Sequence, residues 1–185
     1  SLYVQLYEYL KKETRVRIVE RDSGIVALID NLIRIKVYSD DPLDLAEASM
    51  VGIPFYFEDG IERVVNLEGI THRPDGSRSY LNRQDAGTVA MNSRYKILEF
   101  EMPDVEQGAV LEYKYTLERR YIEELPDFYF AHRVPTREAN LYLQNSEFIR
   151  YDVIEQNVDF EVEYEEQRVD TSRIPLVFTY QRPEP

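Results

Sequence analysis

Residues 98–115 read LEFEMPDVEQGAVLEYKY, and this stretch decides the fold class. From its second half onward, Leu111, Tyr113, Tyr115 and Leu117 alternate with Glu112, Lys114, Thr116 and Glu118. Successive side chains of a strand point to opposite faces, so a period of two with one apolar side marks a half-buried strand. Before the turn at residues 103–108, residues 94–102 form a second strand. Gly108 supplies the positive φ that can end such a turn. The simplest pairing of the two strands is an antiparallel hairpin.

The same pattern recurs on both sides. Residues 14–19 alternate, with Val16 and Ile18 against Arg15 and Arg17. Asp22-Ser23-Gly24 is a turn signal, and Ile33, Ile35 and Val37 then alternate with Arg34 and Lys36 in residues 25–38. This predicts a long hairpin. Residues 3–10 fit strand or helix. Residues 40–48 form the best helix candidate, with an Asp to cap it, Pro42 in the first turn and acids at the positive end of the dipole. Residues 50–57 read as a strand that Pro54 confines to an edge or a bulge. Strands are also expected at 61–71 and 77–81, joined by Arg73-Pro74-Asp75-Gly76. Residues 82–93 read as a long loop. Beyond it come an aromatic strand at 128–130, then 141–143, 148–154, 158–165 and 176–180. With roughly ten to twelve short strands, the expectation is an all-β fold, an antiparallel β-sandwich with one short helix at most. We read residues 1–185 as a single domain. Any boundary would fall in 82–93 or near Pro135.

Composition narrows the function. The chain has no Cys, which removes disulfides, thiolate metal sites and a cysteine nucleophile. A formal charge of −13, from 22 basic against 35 acidic residues, argues against a nucleic-acid partner, because phosphate is met mainly by Lys and Arg. No apolar run approaches the ~20 residues needed to cross a bilayer, so direct membrane insertion is not expected. The chain starts at Ser1 without a signal peptide, and we read it as a mature or trimmed piece of a longer protein.

Several segments, taken in order, resemble a bacterial domain of unknown function that precedes transglutaminase-like domains. They are Arg34-Ile35-Lys36-Val37, then Gly52-Ile53-Pro54-Phe55-Tyr56, then Ile61, Val64, Leu67, Glu68 and Thr71 leading into Arg73-Pro74-Asp75-Gly76. Phe100-Glu101-Met102-Pro103-Asp104-Val105-Glu106-Gln107-Gly108 with Ala109-Val110-Leu111-Glu112-Tyr113-Lys114-Tyr115 follows, and Asp127-Phe128-Tyr129-Phe130 comes last. Asp104 and Ala109 depart from the family pattern, which often has Gly and Asp there. A Trp-containing segment expected further on is missing. The resemblance implies a β-sandwich-like accessory domain of an exported or membrane-anchored bacterial protein, hence an extracytoplasmic location. Its implied partner is a downstream transglutaminase-like domain of the same chain. Such a domain would use a Cys-His-Asp set, and with no Cys here no catalytic residue carries over.

Candidate sites remain. His72 and His132 are the only histidines, too few for a metal site. Asp40, Asp41, Asp44 and Glu47 could offer oxygens to Ca²⁺, but they lack the Gly turn of such loops and fit a helix start. Asp159, Glu161, Glu163, Glu165 and Glu166 could pair as hydrolase carboxylates, or simply solvate a strand face and discourage edge aggregation. Tyr121, Phe128, Tyr129 and Phe130, with Tyr3, Tyr7 and Tyr9, could stack on a sugar or a peptide, or fill the core. The reading is a non-catalytic accessory or interaction domain without metal or cofactor. The alternative is a glycan- or peptide-binding module that uses tyrosine-rich faces or an exposed edge strand.

Overall fold

The computed structural model describes residues 6–130, 134–144, 151, 154, 163–166 and 175–181, the last two stretches as backbone only. The strands are β1 (Tyr7–Arg21), β2 (Gly24–Val37), β3 (Met50–Tyr56), β4 (Glu62–His72), β5 (Arg78–Tyr80), β6 (Gly87–Ala90), β7 (Tyr95–Glu101), β8 (Val110–Arg119), β9 (Glu138–Gln144), β10 (Glu163–Glu166) and β11 (Pro175–Gln181). The one described α-helix is α1 (Pro42–Ser49). Asp41 caps it, its Oδ1 accepting the Leu43 N–H at 2.8 Å, and Pro42 fills the first turn. The eight-stranded sheet runs β10-β11-β9-β1-β2-β8-β4-β5, and a three-stranded sheet runs β3-β7-β6. This is the expected all-β, sandwich-like fold with one short helix. One pairing departs from the antiparallel expectation: β9 lies parallel to β1, Thr14 opposite Leu141.

The inner face of the large sheet is written in the parity of β2. Ile33, Ile35 and Val37 join Leu111 and Tyr113 of β8 in one buried cluster, closed from the small sheet by Val51, Ile53 and Phe100 and by Met102 beyond it. Ala27 and Ile29 join Val16, Leu117 and Leu143 in a second cluster. Each such side chain contributes roughly 1.5–3 kcal/mol on burial, and these clusters are the main stabilising term. Between them lies a polar row, Thr14, Asn31 and Tyr115, set opposite one another by the register. The Thr14 hydroxyl donates to Asn31 Oδ1 at 2.7 Å.

Three expectations need correction. Residues 94–102 and the strand after Gly108 are not a hairpin: β7 belongs to the small sheet and β8 to the large one. The connection is stitched to both. The Met102 N–H donates to Ser49 O at 2.8 Å, beside β3, while the Gly108 N–H donates to Val37 O at 2.9 Å and Val37 N–H to Ala109 O at 3.0 Å. Residues 82–93 are not all loop but hold a 3₁₀ turn and β6. Residues 128–130 are not a strand; they belong to an irregular segment whose Ile122, Leu125 and Phe130 pack on the second cluster. Most of the expected strand at 148–154, and residues 158–162 of the next, lie outside the described residues.

The turns at 73–76 and 103–108 touch each other. Arg73 Nε donates to Glu106 Oε1 at 2.7 Å, and Ser79 Oγ donates to Asp104 Oδ2 at 2.6 Å. Asp104 and Gly108 both have positive φ, 48° and 84°. A side chain at Gly108 would meet Pro74 Cγ at 3.2 Å, so this glycine serves both the turn and the close approach.

Candidate functional site

A β-bulge shapes the most unusual group. In the β1–β2 ladder Tyr9 faces Ile35 but Lys11 faces Arg34, so Leu10 is the extra residue. The bulge reverses parity, so Tyr9 and Lys12 both fall on the inner face, Lys12 opposite Ile33. There its ammonium donates to the Tyr129 carbonyl at 2.7 Å and lies 5.7 Å from the centroids of both the Tyr9 and Phe128 rings. Burial pushes the Lys12 pKa down to about 8. The alternation of Val16 and Ile18, counted back by twos through Thr14, puts Lys12 on this face; what leaves no mark in the pattern is the bulge at Leu10 that brings Tyr9 to the same face.

The four aromatics singled out from the sequence divide into two kinds. Phe128 and Phe130 meet edge to face at 4.7 Å and turn inward, half-buried. Tyr121 and Tyr129 are exposed, 43% and 59%. Tyr121 carries Arg119 over its ring at 5.5 Å and donates to Glu123 at 3.3 Å. Tyr7 and Tyr9 pack against the first cluster.

The outer face of the large sheet holds an open groove of about 370 Å³ lined by Glu13, Arg15, Asp30, Asn66, Glu68 and Lys114. Its cations are engaged: Arg15 with Glu13 at 2.7 Å, and Lys114 with Glu112 at 3.6 Å. Arg17 beside it holds Asp30 at 2.7 Å. The groove is a solvated ladder of charge pairs, each worth ~0–1 kcal/mol at such exposure.

His72 ends β4, half-buried, opposite Val110 and Arg78. His132, Tyr3, Asp159 and Glu161 lie outside the described residues. Asp41 caps α1, and Asp44 accepts the Ser39 hydroxyl at 2.5 Å. Among the described residues no group of three or more His, Cys, Asp or Glu is arranged to hold a metal ion. The backbone of Glu163, Glu165 and Glu166 runs in β10, the edge strand of the large sheet.

No protein-family model matches the chain. No curated protein matches it either. Among solved structures it is similar to a crystal structure described as "a putative protease from Parabacteroides distasonis", with a TM-score of 0.70 and 13% sequence identity. The match covers 95% of this chain, which spans 35% of that one. At this identity the likeness concerns the fold alone.

Proposed function

We propose that this chain is a non-catalytic β-sandwich accessory domain of a longer, exported bacterial protein, positioned before a transglutaminase-like domain. The observation that supports it best is the crystal structure in which the same fold occupies 35% of a longer polypeptide. The absence of Cys and the ordered motifs from Arg34 to Phe130 point the same way. In this reading Arg73, Pro74, Glu106 and Gly108 are scaffold, holding two turns together, and the domain's work is contact with neighbouring chain.

The test compares the full natural protein with a version lacking this domain, and with residues 1–185 alone. Peptide hydrolysis or transamidation is expected from the full protein and none from residues 1–185. Turnover by residues 1–185 would refute the accessory role.

A second reading, a peptide-binding module, is favoured by one feature. β6 closes the small sheet with all four of its residues exposed.

A further inference from the structure

We propose that the edge of β6, with the outer face of the small sheet beside it, is a docking site for an extended peptide strand that alternates apolar and cationic residues on that face. This rests on the interaction-module reading above and gives it a surface and a ligand chemistry.

The Met91 N–H donates to the Tyr95 carbonyl at 2.9 Å. Hydrogen-bonded and non-hydrogen-bonded pairs alternate along an antiparallel ladder. The next pairs are Ala90–Lys96, Thr88–Leu98 and, between and beyond them, Val89–Ile97 and Gly87–Glu99. Counting back from Met91, Val89 and Gly87 bond to β7, and the N–H and C=O groups of Thr88 and Ala90 point away from it. Among the described residues no strand takes them up. Sheet edges are usually blunted by Pro, Lys or an inward charge. The opposite edge, β3, has both Pro54 and the Glu62 carboxylate, which accepts the Tyr56 N–H at 2.7 Å. The sequence of β6, Gly-Thr-Val-Ala, carries neither device.

The face beside this edge is apolar in rows. Pro54, Ile97 and Val89 lie across the three strands, and Tyr56 and Tyr95 meet edge to face at 5.2 Å in the next row. Val89 is 51% and Met91 63% exposed on this face. An added strand would extend both rows.

Charge selects the occupant. The row beyond Val89 reads Gly52, Glu99, Gly87. Among the described residues the Glu99 side chain makes no ion pair, while the nearby cations are engaged: Lys96 lies 4.2 Å from the Phe57 ring centroid and Arg94 3.4 Å from Glu58. A Cβ built on Gly87 meets nothing within 4 Å. Gly87 therefore leaves an open lane from the edge to Glu99, about two strand spacings or ~10 Å long, which a Lys or Arg on the docked strand can cross. A second copy of this chain, at −13, would bring acid to acid.

The experiment titrates residues 1–185 into a fluorescein-labelled peptide of repeating Val-Thr-Lys-Thr, read by anisotropy, with a Val-Thr-Glu-Thr peptide as control. Saturable binding to the Lys peptide alone, weakening with salt, is expected. Thr88→Pro removes an outward donor and should weaken binding at least tenfold. Glu99→Lys leaves the edge intact and should weaken it similarly, so a folding defect in either variant does not decide the matter. No binding, binding unaffected by both substitutions, or a concentration-dependent dimer abolished by T88P would each overturn the proposal. None of these touches the accessory reading, which stands or falls on turnover.

Discussion

Glu62 of β4 and Arg119 of β8 form an ion pair on the inner face of the large sheet, with Glu62 only 6% exposed. The second Glu62 oxygen accepts the Tyr56 N–H at 2.7 Å, so one carboxylate ties the last residue of β3 to the opposing sheet. Removing one member of a buried pair costs about 3–5 kcal/mol when the other charge is stranded; Arg119 keeps its Nε bond to the Tyr121 carbonyl at 2.7 Å, which holds the cost to the lower end. Glu62→Ala is therefore expected to lower stability by ~3 kcal/mol, and Glu62→Gln by less, since the amide oxygen still accepts from Tyr56. Urea unfolding of the three proteins decides it. A loss below ~1 kcal/mol for the alanine variant would mean the pair does not join the sheets.

Alkali should act through the tyrosines. Burial pushes the Tyr115 pKa up to about 12 and raises that of Tyr113 well above the ordinary 10.0. The folded chain keeps these phenols protonated where the unfolded chain gives up its protons. Their contribution is full below pH 10 and is lost as pH rises from 10 through 12. Tyr115→Phe should unfold less readily than the wild type does over that interval, relative to each protein's stability at pH 9. Thermal melts at pH 9, 10 and 11 with tyrosinate absorbance test this; parallel pH curves would sink it.

Lys12 works in the opposite sense. Its pKa falls from 10.5 to about 8 on folding, because burial disfavours the ammonium. Between those values the unfolded chain binds a proton that the folded chain does not, so stability from this group rises with pH across the window. The stability of the wild type relative to Lys12→Met is expected to improve steadily from pH 7.5 to pH 10. A difference that stays constant over that range would place Lys12 in a water-like setting.

What was legible in the sequence follows from parity. The alternation of β2 and β8 placed Ile33, Ile35, Leu111 and Tyr113 on one face, and the structure buries all four. Asp41 and Pro42 announced the helix, and Pro54 announced an edge, which β3 is. Parity does not say which sheet a strand joins: β7 and β8 alternate identically whether they pair or face each other. The hydrogen bonds from Met102 to Ser49 and from Gly108 to Val37 decide that, and they depend on partners far along the chain. β6 is four small residues, too short to show a period. Counting back by twos from Val16 and Ile18 puts Lys12 inward, as found, but puts Tyr9 outward; the Leu10 bulge is what brings Tyr9 to the inner face as well. The aromatic run at 128–130 resembled a strand because inward Phe128 and Phe130 alternate with outward Tyr129, which an irregular segment lying on a core also produces.

Two glycines of the sandwich should respond oppositely to the same methyl group. Gly69 sits on the inner face of β4 opposite Tyr113, and a Cβ there would lie 2.9 Å from Leu81 Cβ and 3.1 Å from Met102 Sδ. Leu81 is held close because its N–H donates to the Gly69 carbonyl at 2.9 Å, so it cannot retreat without losing that bond. Gly69→Ala is expected to cost ~1–3 kcal/mol, as overpacking of a closed interior does. Gly87, with nothing within 4 Å of its built Cβ, should accept alanine within ~0.5 kcal/mol. Chemical denaturation of the two variants side by side separates the roles. Equal losses would mean that Gly87 is required by the backbone of β6, and the open lane to Glu99 would then be a by-product of chain geometry.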